Sequence, residues 1–251
     1  MTAAGGTEGV GHGTDAGAGG AGRIDCIDAL RGLAVVLMVA HHLLYDLVEF
    51  LDAPEWLFSN PIFDALHYLF AGVFIFLSGV SSRFSRSNIK RGLKTLAAAV
   101  AVTLATWYIG LPVLFGILHL LAFCMLFYGL TGKLLRRLPR AAAPAIYIAG
   151  LVGSALAVRY AHIGGGYLWA LGWPGSGFWS SDYFPVFPWL FVFLMGTWAG
   201  AYIRERRLPD WFYEVRIPLL AAVGRRALII YLLHQPVLYA AVTAIKKLLQ
   251  Q

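Results

Sequence analysis

Seven apolar runs, each near the length needed to cross a bilayer, alternate along this chain with loops of unequal charge. They lie at about 28–50, 62–82, 92–109, 112–131, 144–161, 184–203 and 226–245. Runs of roughly 20 apolar residues read as transmembrane helices, because a helix rises about 1.5 Å per residue against a hydrocarbon core of about 30 Å. The pattern predicts an all-α, polytopic integral membrane bundle of about seven helices. Composition agrees: 59% of the 251 residues are hydrophobic and 13% are charged. The break near Gly110–Pro112 is short, so spans three and four are expected to pack as a tight antiparallel pair. A further interfacial helix is possible within 208–223.

Loop charge sets the expected orientation. The 83–94 loop carries Arg83, Arg86, Lys90, Arg91 and Lys94, and the 132–143 loop carries Lys133, Arg136, Arg137 and Arg140. The 204–226 loop carries Arg204, Arg206, Arg207, Arg216, Arg225 and Arg226, whereas 51–61 and 162–183 hold no Lys or Arg. Basic loops stay inside, so the N-terminus is expected to be cytoplasmic and the protein to sit in a bacterial-type plasma membrane. The net charge of +7 follows from the same loops. With no continuous basic tract, it does not point to nucleic acid. Residues 1–22 are mostly Gly, Ala and Thr, a composition that predicts a disordered tail ahead of a membrane domain over 23–251. This tail lacks the basic start and apolar run of a signal peptide. Cys26 and Cys124 are too few for a disulfide framework and are expected to be free thiols. No internal repeat stands out.

The first run is unusual. Between Asp28 and Asp46 it carries Arg31, His41, His42 and Tyr45, and ionisable groups inside a span are rare and usually functional. At about 100° per residue, with Arg31 at 0°, Asp28 and Asp46 fall near 60°, His42 near 20° and Glu49 near 0°. His41 falls off this stripe. His42 and Asp46 are spaced i, i+4, so their side chains can meet, and an Asp that orients an imidazole makes it a stronger base. Depth adds to this. His42 lies about 12 Å from the outer end of its run, His67 about 8 Å and His119 about 10 Å, so three helices bring histidines to one level. Asp182 lies on the same side, and His234 is nearer mid-membrane. At the inner end, Arg31, Arg225 and Arg226 gather near Asp28, and guanidinium suits phosphate. The histidines show no HxxxH or HExxH spacing, so no metal is expected. Phosphate loops, dinucleotide fingerprints and hydrolase elbows are absent. A His/Asp chain of this kind also fits proton-coupled transport of a small solute or lipid-linked sugar.

Five blocks carry a family resemblance: RIDCIDALRGLAVVLMVAHHLLYD, VFIFLSGVSSRFSRSNIKRGLK, FGILHLLAFCMLFYG, DYFPVFPWLFVFLMGTWAG and GRRALIIYLLHQPVL. In this order, from Arg23 to Leu238, the chain resembles bacterial members of the heparan-alpha-glucosaminide N-acetyltransferase catalytic-domain family, within the transmembrane acyltransferases. The resemblance implies transfer of acetyl from cytoplasmic acetyl-CoA to an amino sugar or other cell-envelope glycan on the far side. It puts weight on Asp28, Arg31, Gly32, His42, Asp46, His119, Asp182, Arg225 and His234. His42, Asp46, His67 and His119 are the candidate catalytic residues. Asp28, Arg31, Arg225 and Arg226 are the candidates for holding the acyl-CoA, and Asp182 and His234 for the acceptor. The eukaryotic enzymes place a catalytic His in the first lumenal loop. Here 51–61 has none, and His67 is the nearest.

Overall fold

The computed structural model describes residues 24–161, 163 and 166–250. The expected disordered tail, 1–22, lies outside them. The described chain folds into helices α1 (Asp25–Leu51), α2 (Pro61–Ser82), α3 (Asn88–Tyr108), α4 (Ile117–Leu135) and α5 (Ala143–Tyr160), followed by α6 (Val186–Arg204), α7 (Asp210–Glu214), α8 (Pro218–Arg225) and α9 (Ala227–Leu249). Six of these are long and apolar enough to cross a membrane; α3, with Lys90, Arg91 and Lys94 in its first two turns, is the seventh long helix.

Local chemistry explains several boundaries. Asp25 and Asp28 lie in the first turn of α1, where the helix dipole favours acid. Asn60 caps α2 by accepting from the Ile62 and Phe63 N–H groups, with Pro61 in the first turn. Ser87 caps α3 through the Lys90 N–H. One expected boundary moves: α4 begins at Ile117, not near 112. Residues 110–116 run outside any helix and bond to the loop before α6. The Phe184 N–H donates to Phe115 O (2.9 Å), the Ser181 N–H to Pro112 O (3.1 Å), and the Leu114 N–H to Ser180 Oγ (3.0 Å). Irregular backbone at this depth persists when protein supplies its hydrogen bonds.

Two helix pairs approach through glycine. In α1 and α8, a Cβ on Gly32 would lie 2.0 Å from Leu220 O, and one on Gly224 would lie 1.8 Å from Asp28 O. In α2 and α6, which run parallel, Cβ atoms on Gly79 and Gly196 would lie 2.1 Å from Phe193 O and 2.0 Å from Phe76 O. Lipid gives no hydrophobic drive between helices, so close backbone packing at small residues has to supply cohesion. The expected extra element in 208–223 is thus two short helices, of which α8 packs on α1. The main core joins Leu120, Cys124 and Tyr128 of α4 to Leu190, Phe193 and Leu194 of α6, with Ile75 and Tyr147. Both cysteines are free.

The bundle has two chemically different ends. At one, Arg31 meets Ser81, Arg83 meets Tyr128, and Asp25 meets Arg216 and Arg225. At the other lie His41, His67 and Asp182. Helices α1 and α9 both run from the arginine end to the histidine end, side by side: His42 faces His234 and Phe50 faces Tyr239.

Candidate functional site

His41 and His42 are consecutive on α1, so their side chains diverge by about 100° and address two neighbours. His41 meets His67 of α2, ring centroids 4.6 Å apart; His42 meets His234 of α9 at 4.9 Å; the two α1 rings are 6.0 Å apart. Four imidazoles from three helices therefore form a continuous line, His67–His41–His42–His234. His41, which the angular stripe left out, is its link. The helical wheel fails here because α1 has working partners on two sides.

Hydrogen bonds fix one tautomer in the line. His234 Nδ1 lies 2.7 Å from the Tyr231 carbonyl, which can only accept, so Nδ1 carries the proton. His234 Nε2 is then the basic nitrogen; it is buried and makes no other hydrogen bond. At the other end of the line, Asp64 and Asp182 lie within electrostatic reach of His67, which also contacts Phe184 at 5.8 Å.

Asp182 does structural work as well. Its Oδ2 accepts from the Ile117 N–H (3.1 Å) at the start of α4 and from the Tyr231 hydroxyl (3.2 Å) of α9. It thus supplies from a distant loop the cap that Gly116 cannot give. A Cβ on Gly116 would lie 2.3 Å from that oxygen. Gly116→Ala is expected to push the carboxylate off the helix start and to cost ~1–2 kcal/mol, the usual value of a cap. The measurement is chemical unfolding in detergent, and an unchanged midpoint would refute it. Burial pushes the Asp182 carboxyl above its ordinary range, against the opposing pull of the Ile117 and Tyr231 bonds. Ionising it therefore costs more in the folded protein than in the unfolded chain. Stability is expected to fall as pH rises from the ordinary carboxylate value through the raised one, and Asp182→Asn to remove that fall. Melting curves across this window in both proteins check the sign.

Two expected pairings are corrected. Asp46 does not orient His42: its Oδ1 accepts from Gln235 Nε2 of α9 at 2.9 Å, while His42 turns to His234. Spacing i, i+4 permits a contact but cannot compel it when another helix offers a donor. His119 is not in the line. It sits in the first turn of α4, its Nε2 3.2 Å from Thr103 Oγ1 and its ring stacked on Phe115 at 5.7 Å. Thr103 gives its only proton to Val113 O (2.6 Å), so His119 donates through Nε2. The depth argument placed His119 well inside a span that begins five residues too early.

At the arginine end, Arg31 Nη1 pairs with Asp28 Oδ1 at 2.6 Å, and its Nη2 donates to Ser81 Oγ at 2.6 Å. Arg91, at the start of α3, is close enough to Arg31 for their charges to repel, and reaches Asn88 Oδ1 at 3.5 Å. Two guanidiniums within electrostatic reach of each other favour an anion between them. Arg225 instead lies 3.9 Å from Asp25, which also holds Arg216 at 3.4 Å, and Arg226 is exposed at the α8–α9 turn. Sequence reasoning missed Arg91, counted there only as loop charge, and also Tyr231 and Gln235. Among the described residues no group of three or more His, Cys, Asp or Glu is arranged to hold a metal ion.

Residues 23–236 match the family described as heparan-alpha-glucosaminide N-acetyltransferase, catalytic. The chain belongs to this family. No curated protein and no solved structure matches it. Membership in the heparan-alpha-glucosaminide N-acetyltransferase family gives the all-helical bundle a transferase activity in general terms. The five blocks of the resemblance contain every member of the histidine line but His67, and both Arg31 and Arg91 at the opposite end.

Proposed function

We propose that this protein transfers an acetyl group from acetyl-CoA, held at the arginine end, to an amine or hydroxyl at the histidine end. The acceptor is an amino sugar or other cell-envelope glycan, and the arginine end faces the cytoplasm of a bacterial-type plasma membrane. One observation carries the reading: α1 bears both Arg31 and His42, about 17 Å apart along its axis, and each is completed by other helices. Arg31 and Arg91 would hold the phosphates, with Asp28 and Ser81 setting the Arg31 guanidinium. The thioester on its flexible arm would reach toward the histidine line.

In the reaction, a neutral imidazole takes the proton from the acceptor as its nitrogen or oxygen attacks the thioester carbonyl. The C–S bond then breaks, and the thiolate leaves with the electron pair. His42 is the residue we assign as base. His234 can take the proton from His42 at Nε2, the nitrogen its Tyr231 bond leaves basic, and hold it there as imidazolium. His41 and His67, with Asp182 beside them, form the acceptor side of the line and offer N–H donors for developing oxyanion charge.

Binding of acetyl-CoA to detergent-purified protein, followed by calorimetry, tests the donor half. Arg31→Ala and Arg91→Ala are each expected to weaken it ~10- to 100-fold, as expected for losing a charged hydrogen bond of about 1.5–3 kcal/mol. Saturable binding that both variants leave unchanged would remove the arginines from the site. Absence of binding in a well-folded sample would favour proton-coupled transport along the same histidines.

A further inference from the structure

Asp46 is fully buried in α1, at 0% exposure, in a segment read as crossing the membrane. Gln235 Nε2 donates to its Oδ1 at 2.9 Å. The other carboxyl oxygen, Oδ2, and the other amide atom, Gln235 Oε1, are both buried and without a hydrogen-bond partner. As an anionic carboxylate facing an amide, this arrangement leaves two acceptors and no donor. The titratable groups here are His42 and Glu49 of α1, about one turn to either side, the adjacent Tyr45, within electrostatic reach of Asp46 and Glu49, and His234, next to Gln235 on α9. None of them forms an ion pair with Asp46; its described partner is the neutral amide. A buried charge without a cation or a full set of donors is strongly disfavoured.

We propose that Asp46 carries its proton and that Asp46 and Gln235 form a cyclic acid–amide pair. In it, N–H donates to Oδ1 while Oδ2–H donates to Oε1. One proton satisfies both unpartnered atoms and removes the charge. Gln235 is thereby a positioning residue. It bolts α9 to α1 by two parallel hydrogen bonds one turn from His42, and so holds His234, its neighbour in sequence, against the His42 ring. Helix α9 needs such a fastening, because its membrane-crossing part is largely unburied within the bundle. The inference concerns the protonation and packing of this pair, so it stands or falls separately from the acyl-transfer reading.

Infrared difference spectroscopy of the full-length protein in lipid at neutral pH tests it, wild type minus Asp46→Asn. The expected result is a protonated-carboxyl carbonyl band that Asp46→Asn removes, that shifts in heavy water, and that Gln235→Met moves to higher frequency. Asp46→Asn can make both hydrogen bonds without a proton, so it is expected to keep the wild-type melting temperature, whereas Asp46→Leu lowers it. A difference spectrum showing carboxylate bands instead would overturn the proposal. So would a carbonyl band indifferent to Gln235→Met, or a melting temperature as low in Asp46→Asn as in Asp46→Leu.

Discussion

Replacing Gly196 by valine is expected to stop α2 and α6 from docking, and the protein from accumulating as a monodisperse species. Even Gly196→Ala puts a carbon 2.0 Å from Phe76 O, 2.9 Å from the Phe76 carbonyl carbon and 3.1 Å from the Val80 nitrogen. All three are backbone atoms of a regular helix, so no side chain can swing aside. The helices must separate, and the facing contact, Gly79 on Phe193 O, is lost with them. Overpacking of a core costs about 1–3 kcal/mol, occasionally more, and a backbone clash at the main core belongs at or above the top of that range. Gly153 of α5 is the internal control. A Cβ there meets nothing within 4 Å, so Gly153→Ala gains helix propensity and is expected to be neutral or stabilising by up to ~1 kcal/mol. Thermal unfolding of the two alanine variants in one detergent checks the pair. Equal melting temperatures would show that the close approach at Gly196 does not limit stability.

His42→Ala is expected to lower kcat/KM for acyl transfer by ~10²- to 10⁴-fold, the usual contribution of a positioned base. Acetyl-CoA binding should persist, because Arg31 and Arg91 lie at the other end of the bundle. The half-buried ring lies in a polar line, so the loss should fall on rate and spare folding. His119→Gln is the contrast: it can still donate to Thr103 and lies off the line, so its effect should be much smaller than that of His42→Ala. Labelled acetyl-CoA and a panel of amines and amino sugars in proteoliposomes would measure both. Equal losses in the two variants would show that His119 acts with the line after all. An unimpaired His42→Ala would move the base to another of its members.

Much of this architecture is legible in the chain. Apolar runs of membrane length and arginine-rich loops follow from solvation alone, since a lipid interior tolerates only satisfied backbone and mostly apolar side chains. Hence the helices, their alternating course and the two unlike ends emerge from local composition. The rarity of charge in a span likewise singles out Arg31, His42 and Asp46 before any fold is known.

Pairing is another matter. Which side chain faces which depends on the rotation and depth of neighbouring helices, and those are set by glycine contacts such as Gly32 on Leu220 and Gly79 on Phe193. So the sequence marks His42 and Asp46 but wrongly joins them, because an i, i+4 spacing knows nothing of α9. It omits His41, whose partner lies on α2, and it places His119 too deep, because Asp182 caps a later start of α4 from 65 residues away. The sequence by itself determined the membrane helices, the family and the kinds of residue to which we assign the chemistry. Tertiary structure alone decided their partners, because interhelical contacts pair residues distant in sequence through backbone approaches that no local pattern encodes.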